Sequence, residues 1–164
     1  DFAPRDEAEW GLHEFLQREH AHVSWDRVLS GPGLAGIYGY LAERGRTPEA
    51  PEVRAEIDAG DPAAVIARRG LDGSDETCRR ALDLFVTLYG AEAGNLALKV
   101  LATGGVYLAG GIAPRIVEKL REGAFLRSFH RKGRFSGLME RIPLHVVVNE
   151  RVALLGAAFA ATRG

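Results

Sequence analysis

An α/β fold, mainly helical with two strands, is predicted by three features of the sequence. Apolar residues recur at spacings of three and four over most of the chain, the mark of amphipathic helices. Two short runs, Val106-Tyr107-Leu108-Ala109 and Leu144-His145-Val146-Val147-Val148, have the apolar, β-branched character of strands. The first run lies between two glycine pairs, Gly104-Gly105 and Gly110-Gly111, the bounds expected of a strand buried on both faces.

The elements follow in order. Asp6 is placed to cap a first helix, with Glu9 three residues on completing a capping box, and Ala8, Leu12, Phe15 and Leu16 share its apolar face. After a break at His20-Ala21-His22-Val23, Ser24 caps a short turn through Trp25, Asp26, Arg27 and Val28. Ser30-Gly31-Pro32-Gly33 reads as a loop. Leu34, Ile37, Tyr38 and Leu41 mark a second helix ending near Gly45, and Pro48 and Pro51 punctuate the next stretch. Short helices are expected from Val53 to Ile57 and from Asp61-Pro62, where proline suits a first turn; neither carries evident chemistry. From a cap at Ser74, apolar positions running from Ala81 to Leu101 sustain a helix of about 28 residues, long for a globular protein. Gly90 and Gly94 inside it each cost on the order of 1 kcal/mol against alanine, which points to close approach by a neighbouring backbone. Beyond the first strand, Ile112-Ala113-Pro114-Arg115 leads into a helix through Leu120. Helical pieces are expected at Ala124–His130 and Gly137–Ile142, and the alanine- and glycine-rich segment from Arg151 to Ala161 is expected to form a tightly packing helix.

Two strands make a marginal sheet, so further strands are expected upstream of Asp1. The opening Asp1-Phe2-Ala3-Pro4 reads as the interior of a longer polypeptide.

Composition narrows the classes of function. The 21 basic and 22 acidic side chains are scattered, which leaves a net charge of -1 and gives no footprint for nucleic acid. No apolar run approaches the roughly 20 residues of a membrane span, and a cytoplasmic location without membrane partners is expected. The single cysteine, Cys78, permits no intrachain disulfide and no multi-thiolate zinc site. His20 and His22 flank one residue but have no evident third ligand, and no metal-binding residues are expected.

The strand, glycine pair and helix around Gly110-Gly111 would let a nucleotide approach backbone free of side chains, and equally suits a plain tight turn. It is neither a P-loop nor a dinucleotide fingerprint. The whole stretch Gly104-Gly105-Val106-Tyr107-Leu108-Ala109-Gly110-Gly111-Ile112-Ala113-Pro114 resembles the adenosine motif of actin-fold sugar kinases. Gly94-Asn95-Leu96-Ala97-Leu98 before it resembles the preceding helix of bacterial glucokinases. Asp1-Phe2-Ala3-Pro4, His22-Val23-Ser24, Arg27-Val28-Leu29-Ser30-Gly31-Pro32-Gly33-Leu34, Cys78-Arg79-Arg80-Ala81-Leu82 and Lys132-Gly133-Arg134-Phe135 are similar to that family in the same order. The missing cysteine-rich zinc segment separates the chain from the related repressor and open-reading-frame kinases.

The resemblance implies that residues 1–164 are the carboxy-terminal portion of such an enzyme, a partial large lobe of an actin/hexokinase-like (ribonuclease H-like) fold with the amino-terminal lobe absent. It implies phosphorylation of glucose at its 6-hydroxyl by ATP with Mg2+, in a cleft between two lobes, and a homodimer at full length. Asp26 stands where the family places a sugar-binding glutamate in Val-Ser-x-Glu-Arg-Val; it is one methylene shorter but keeps the acceptor chemistry, and it also fits a surface carboxylate in a first turn. Gly110 and Gly111 would contact the adenosine. Ser30, Gly31 and Gly33 would lie on the nucleotide side, unless their segment is only a connecting turn. The phosphate loop, the Asn-Asp pair with the catalytic base, the sugar motif expected before Asp1 and most Mg2+-binding groups fall outside the chain, so the chain alone is expected to be inactive. A noncatalytic sugar- or nucleotide-binding regulatory module is the alternative.

Overall fold

The computed structural model describes residues 1–45, 49–149 and 151–163. The punctuation expected at Pro48 lies outside them. Helix α1 spans Glu7–Gln17, and Asp6 caps it by accepting the Glu9 amide at 3.0 Å. The capping box does not close in the expected sense. The Glu9 carboxylate is fully buried and accepts the Arg5 backbone amide at 2.8 Å and the Arg5 guanidinium, which in turn donates to Ser128 Oγ at 2.8 Å. A buried carboxylate is tolerable because it is paired.

A 3-10 turn at Trp25–Arg27 leads into α2, Gly31–Arg44. The segment expected to be a loop is therefore the first turn of this helix. Ser30 Oγ accepts the Gly33 amide at 3.1 Å, and Pro32 falls where its fixed backbone angle suits the turn. Gly33 is needed there: a Cβ would stand 2.4 Å from the Val28 carbonyl oxygen.

Helices α3, Pro51–Ala59, and α4, Pro62–Asp72, follow, the latter capped by Asp61. The long α5, Glu76–Lys99, is capped by Asp75 rather than Ser74, through a 2.7 Å bond from the Cys78 amide; Ser74 instead donates its own amide to Asp72. Carboxylates and hydroxyls both cap well, and local geometry selected the carboxylate. Burial, helped by the hydrogen bond to Asp75, pushes the Cys78 thiol up to about 12.

Helix α5 is the spine against which α2, α4 and α7, Ala124–His130, all pack. Phe85, Leu82 and Leu88 of α5 are sealed against Ile37, Ile66 and Phe129 of those three helices. Gly90 and Gly94 make the α7 side possible. A Cβ at Gly90 would lie 2.3 Å from the Phe125 carbonyl oxygen, and one at Gly94 would lie 2.5 Å from Lys132 Cε. Lys132 uses that space to donate to the Ala91 carbonyl at 2.8 Å and to Asn95 at 2.6 Å; burial, then repulsion from Arg5, lowers its pKa.

Strands β1, Val106–Leu108, and β2, Leu144–Val146, form a parallel pair with Tyr107 opposite His145. The crossover between them carries a 3-10 turn at Ala113–Ile116, α6 at Val117–Arg121, α7 and α8 at Ser136–Met139. β1 is not buried on both faces as expected. Leu108 points into the core, whereas Tyr107 is 65% exposed and stacks on His145 at 4.8 Å between centroids, because helices of this chain cover one face only. Helix α9, Val152–Ala161, forms where expected, but none of its residues is buried. Among the described residues no helix is long and apolar enough to cross a membrane.

Candidate functional site

A cleft of about 910 Å³ opens beside the carboxyl end of β1, and three of its walls come from separate parts of the chain. One wall is the first turn of α2 with the 3-10 turn before it, which brings Asp26, Ser30 and Gly31 to the cavity. A second is the first two turns of α4, contributing Ala63, Ala64 and Ala67. The third is the turn after β1, with Gly111, Ile112 and Arg115. Phe15 and Leu16 of α1 also line it, with Glu19 and His20 just beyond that helix. Crevices at the carboxyl ends of parallel strands are the usual ligand sites of α/β folds, since the loops there are free to diverge while the strands hold them in place.

The glycine pair is built for access. Gly110 has φ of +104°, a conformation closed in practice to other residues. Gly111 has no such requirement, and a Cβ placed on it would meet nothing within 4 Å. The packing of this chain does not demand a bare backbone at Gly111; the open volume beside it belongs to the cleft.

The walls differ in charge. Asp61 already spends Oδ1 on the Ala63 amide at 3.0 Å and the Ala64 amide at 3.4 Å, so the start of α4 presents a carboxylate in place of free amides. The start of α2 is capped by a neutral hydroxyl. Ser30 accepts from Gly33 and keeps its own O–H to donate. Asp26, Arg27 and Arg115 are exposed on the cleft, and among the described residues none of the three side chains has an ion-pair or hydrogen-bond partner.

Of the residues singled out from sequence, the fold gathers Asp26, Ser30, Gly31 and Gly111 around one cavity. Gly110 shapes the turn without lining the cleft, and Gly33 sits behind the wall with its amide committed to Ser30. His20 and His22 part: the first lines the cleft, while the second lies 3.0 Å from Asp1 on the surface. Among the described residues no three His, Cys, Asp or Glu side chains gather to hold a metal ion. The α4 wall and Arg115 escaped the sequence reading. Alanines at the start of a helix look the same whether they face a cavity or another helix, and an arginine in a surface turn carries no periodic signal.

Comparison with known proteins places the chain in a family. The family model described as Glucokinase matches residues 1–164. The glucokinase of Nostoc sp. is 44% identical over 176 residues, covering 99% of this chain and 52% of its own length. That of Klebsiella pneumoniae (strain 342) is 42% identical over 158 residues, covering 96% and 46%. A crystal structure of glucokinase from an Antarctic psychrotroph superposes with a TM-score of 0.82 at 32% identity, over 99% of this chain and 48% of that one. The chain thus spans about half the length of the relatives it matches, and with its whole length inside the family model it belongs to the glucokinase family.

Proposed function

We propose that this chain is the large-lobe, carboxy-terminal portion of an ATP-dependent glucokinase, with the amino-terminal lobe outside these residues. The observation that carries the reading is the convergence of Asp26, Ser30, Gly31 and Gly111, all marked by family resemblance, on one cleft although more than eighty positions separate the first from the last. In this reading the nucleoside lies along the turn at Gly110 and Gly111, against the small apolar wall of α4. The Ser30 hydroxyl and the Gly31 backbone face the phosphate side, with Gly33 holding that turn in shape. Asp26 accepts hydrogen bonds from sugar hydroxyls, a carboxylate being able to take two at once.

What this chain contributes is binding and orientation. In phosphoryl transfer those effects supply most of the catalysis once a base and a charge clamp are in place. The base is not among the cleft residues described above. Mg2+ keeps several waters and usually binds through one or two carboxylates plus phosphate oxygens. Its protein ligands are proposed to come from the other half. The complete protein is proposed to be a cytoplasmic homodimer.

A coupled assay for glucose 6-phosphate, run on this chain and on the complete polypeptide that carries it, tests the reading. The complete protein should turn over and this chain should not. Turnover by the chain alone would defeat the placement of the base elsewhere. A silent complete protein that still binds sugar or nucleotide would favour the regulatory binding module, a reading that the shortened carboxylate at Asp26 keeps in view.

A further inference from the structure

We infer that Arg115 binds the phosphates of the nucleotide that are not transferred, an assignment that rests on the kinase reading of the cleft. The side chain lines the cleft on the same wall as Gly111, one turn further along the chain. Its root is fixed. The Arg115 amide donates to the Ile112 carbonyl at 3.0 Å, and Ala113 and Ile116 on either side are each 1% exposed. Its head is free: among the described residues no carboxylate pairs with it, and Glu118, the acidic residue that follows it most closely in sequence, is turned to Arg121 at 2.8 Å. A guanidinium held at its base and unpaired at its tip is suited to a fork of charge-assisted bonds to an anion.

The distribution of charge says which anion and where. The carboxylate of Asp61 holds the mouth of α4 and repels phosphate, leaving that wall to the nucleoside. Arg27, the other arginine lining the cleft, follows Asp26 directly and so falls at the end that the proposed reading gives to the sugar. A nucleotide with its adenosine at the glycine turn and its terminal phosphate directed to a sugar at Asp26 would carry its inner phosphates along the glycine wall, and Arg115 is the cation on that wall.

Arg115→Gln, which keeps the reach and removes the charge, and Arg115→Lys, which keeps the charge and removes the fork, separate this role from a structural one in the complete protein. Calorimetric titration with ADP and with adenosine reads phosphate and nucleoside contacts apart. Arg115→Gln should weaken ADP by about ten- to a hundredfold, leave adenosine affinity and the KM for glucose unchanged, and raise the KM for ATP; Arg115→Lys should fall between. Unchanged ADP binding by Arg115→Gln, as expected if Arg115 instead pairs with a carboxylate of the other half, overturns the inference while leaving the kinase reading intact. Equal weakening of ADP and adenosine overturns it as well. A wild-type protein that binds neither ligand removes the kinase reading and the inference together.

Discussion

At Gly111 the folded chain and the proposed ligand make different demands on one residue, which allows them to be tested apart. Gly110 must be glycine for its backbone angle alone, so any substitution there confounds folding with binding. At Gly111 a Cβ meets nothing within 4 Å and the residue is exposed. Gly111→Val should therefore leave the melting temperature almost unmoved, in the range of about 0.5 kcal/mol usual for surface changes. The same substitution fills the space beside the turn and should weaken ADP binding by the complete protein by at least about tenfold. Titration and thermal melting on the same sample check both halves. A valine variant that binds ADP normally would show that no nucleotide lies along this turn. Asp26, Ser30 and Gly31 were legible in the sequence through ordered resemblance, because each sits in a segment whose neighbours fix its place. Arg115 and the alanines of α4 were not, because their importance comes from what stands across the cleft and no local pattern encodes that.

Individual elements are legible where periodicity or capping chemistry speaks unopposed, and obscured where turn-forming residues overlie a cap. The sequence pattern of α5 announced a long helix, of about 28 residues against the 24 of Glu76–Lys99, and the intrusion at Gly90 and Gly94. Their glycines are unfavourable in a helix, so they persist only where another backbone arrives, and α7 supplies it through the Phe125 and Phe129 carbonyls. At the start of α2 proline and glycine together suggest a loop, whereas with a serine cap they build a first turn. Two alanine substitutions separate propensity from packing. Gly137, in α8, has nothing within 4 Å of a new Cβ, so Gly137→Ala should be neutral or stabilising by up to about 1 kcal/mol. Gly90→Ala gains the same propensity but drives a methyl group to 2.3 Å from a backbone oxygen that cannot yield without moving α7. Overpacking should win by about 1–3 kcal/mol, lowering Tm by several degrees. If both variants melt alike, the α5–α7 contact is looser than the geometry requires.

For the molecule as a whole, the unevenness of burial is the central fact. Around α5 the interior is closed, yet among the described residues nothing covers α9 or one face of the sheet. Leu154 is 71% exposed and Phe159 57%, in a helix whose sequence, Val-Ala-Leu-Leu-Gly-Ala-Ala-Phe-Ala-Ala, has no charged residue. Apolar side chains grouped in this way are characteristic of a surface that another protein layer covers. The expectation of a tightly packing final helix is not met within the described residues, since composition records that a face seeks burial and not what buries it. Relatives of about twice the length, together with a parallel pair of strands that no further strand flanks among the described residues, make the other half of the protein the proposed cover. This chain on its own should then bind a hydrophobic dye such as ANS and associate as its concentration rises. Removing residues 151–164 should abolish much of both effects without lowering the melting temperature, because α9 contributes nothing to the core. In the complete protein the same helix should be protected from hydrogen exchange and the dye signal should be low. Sedimentation and ANS fluorescence on the three forms decide the matter: a monomeric, dye-silent 164-residue chain would mean that α9 needs no cover, and a lower melting temperature after truncation would mean that it packs on this lobe itself.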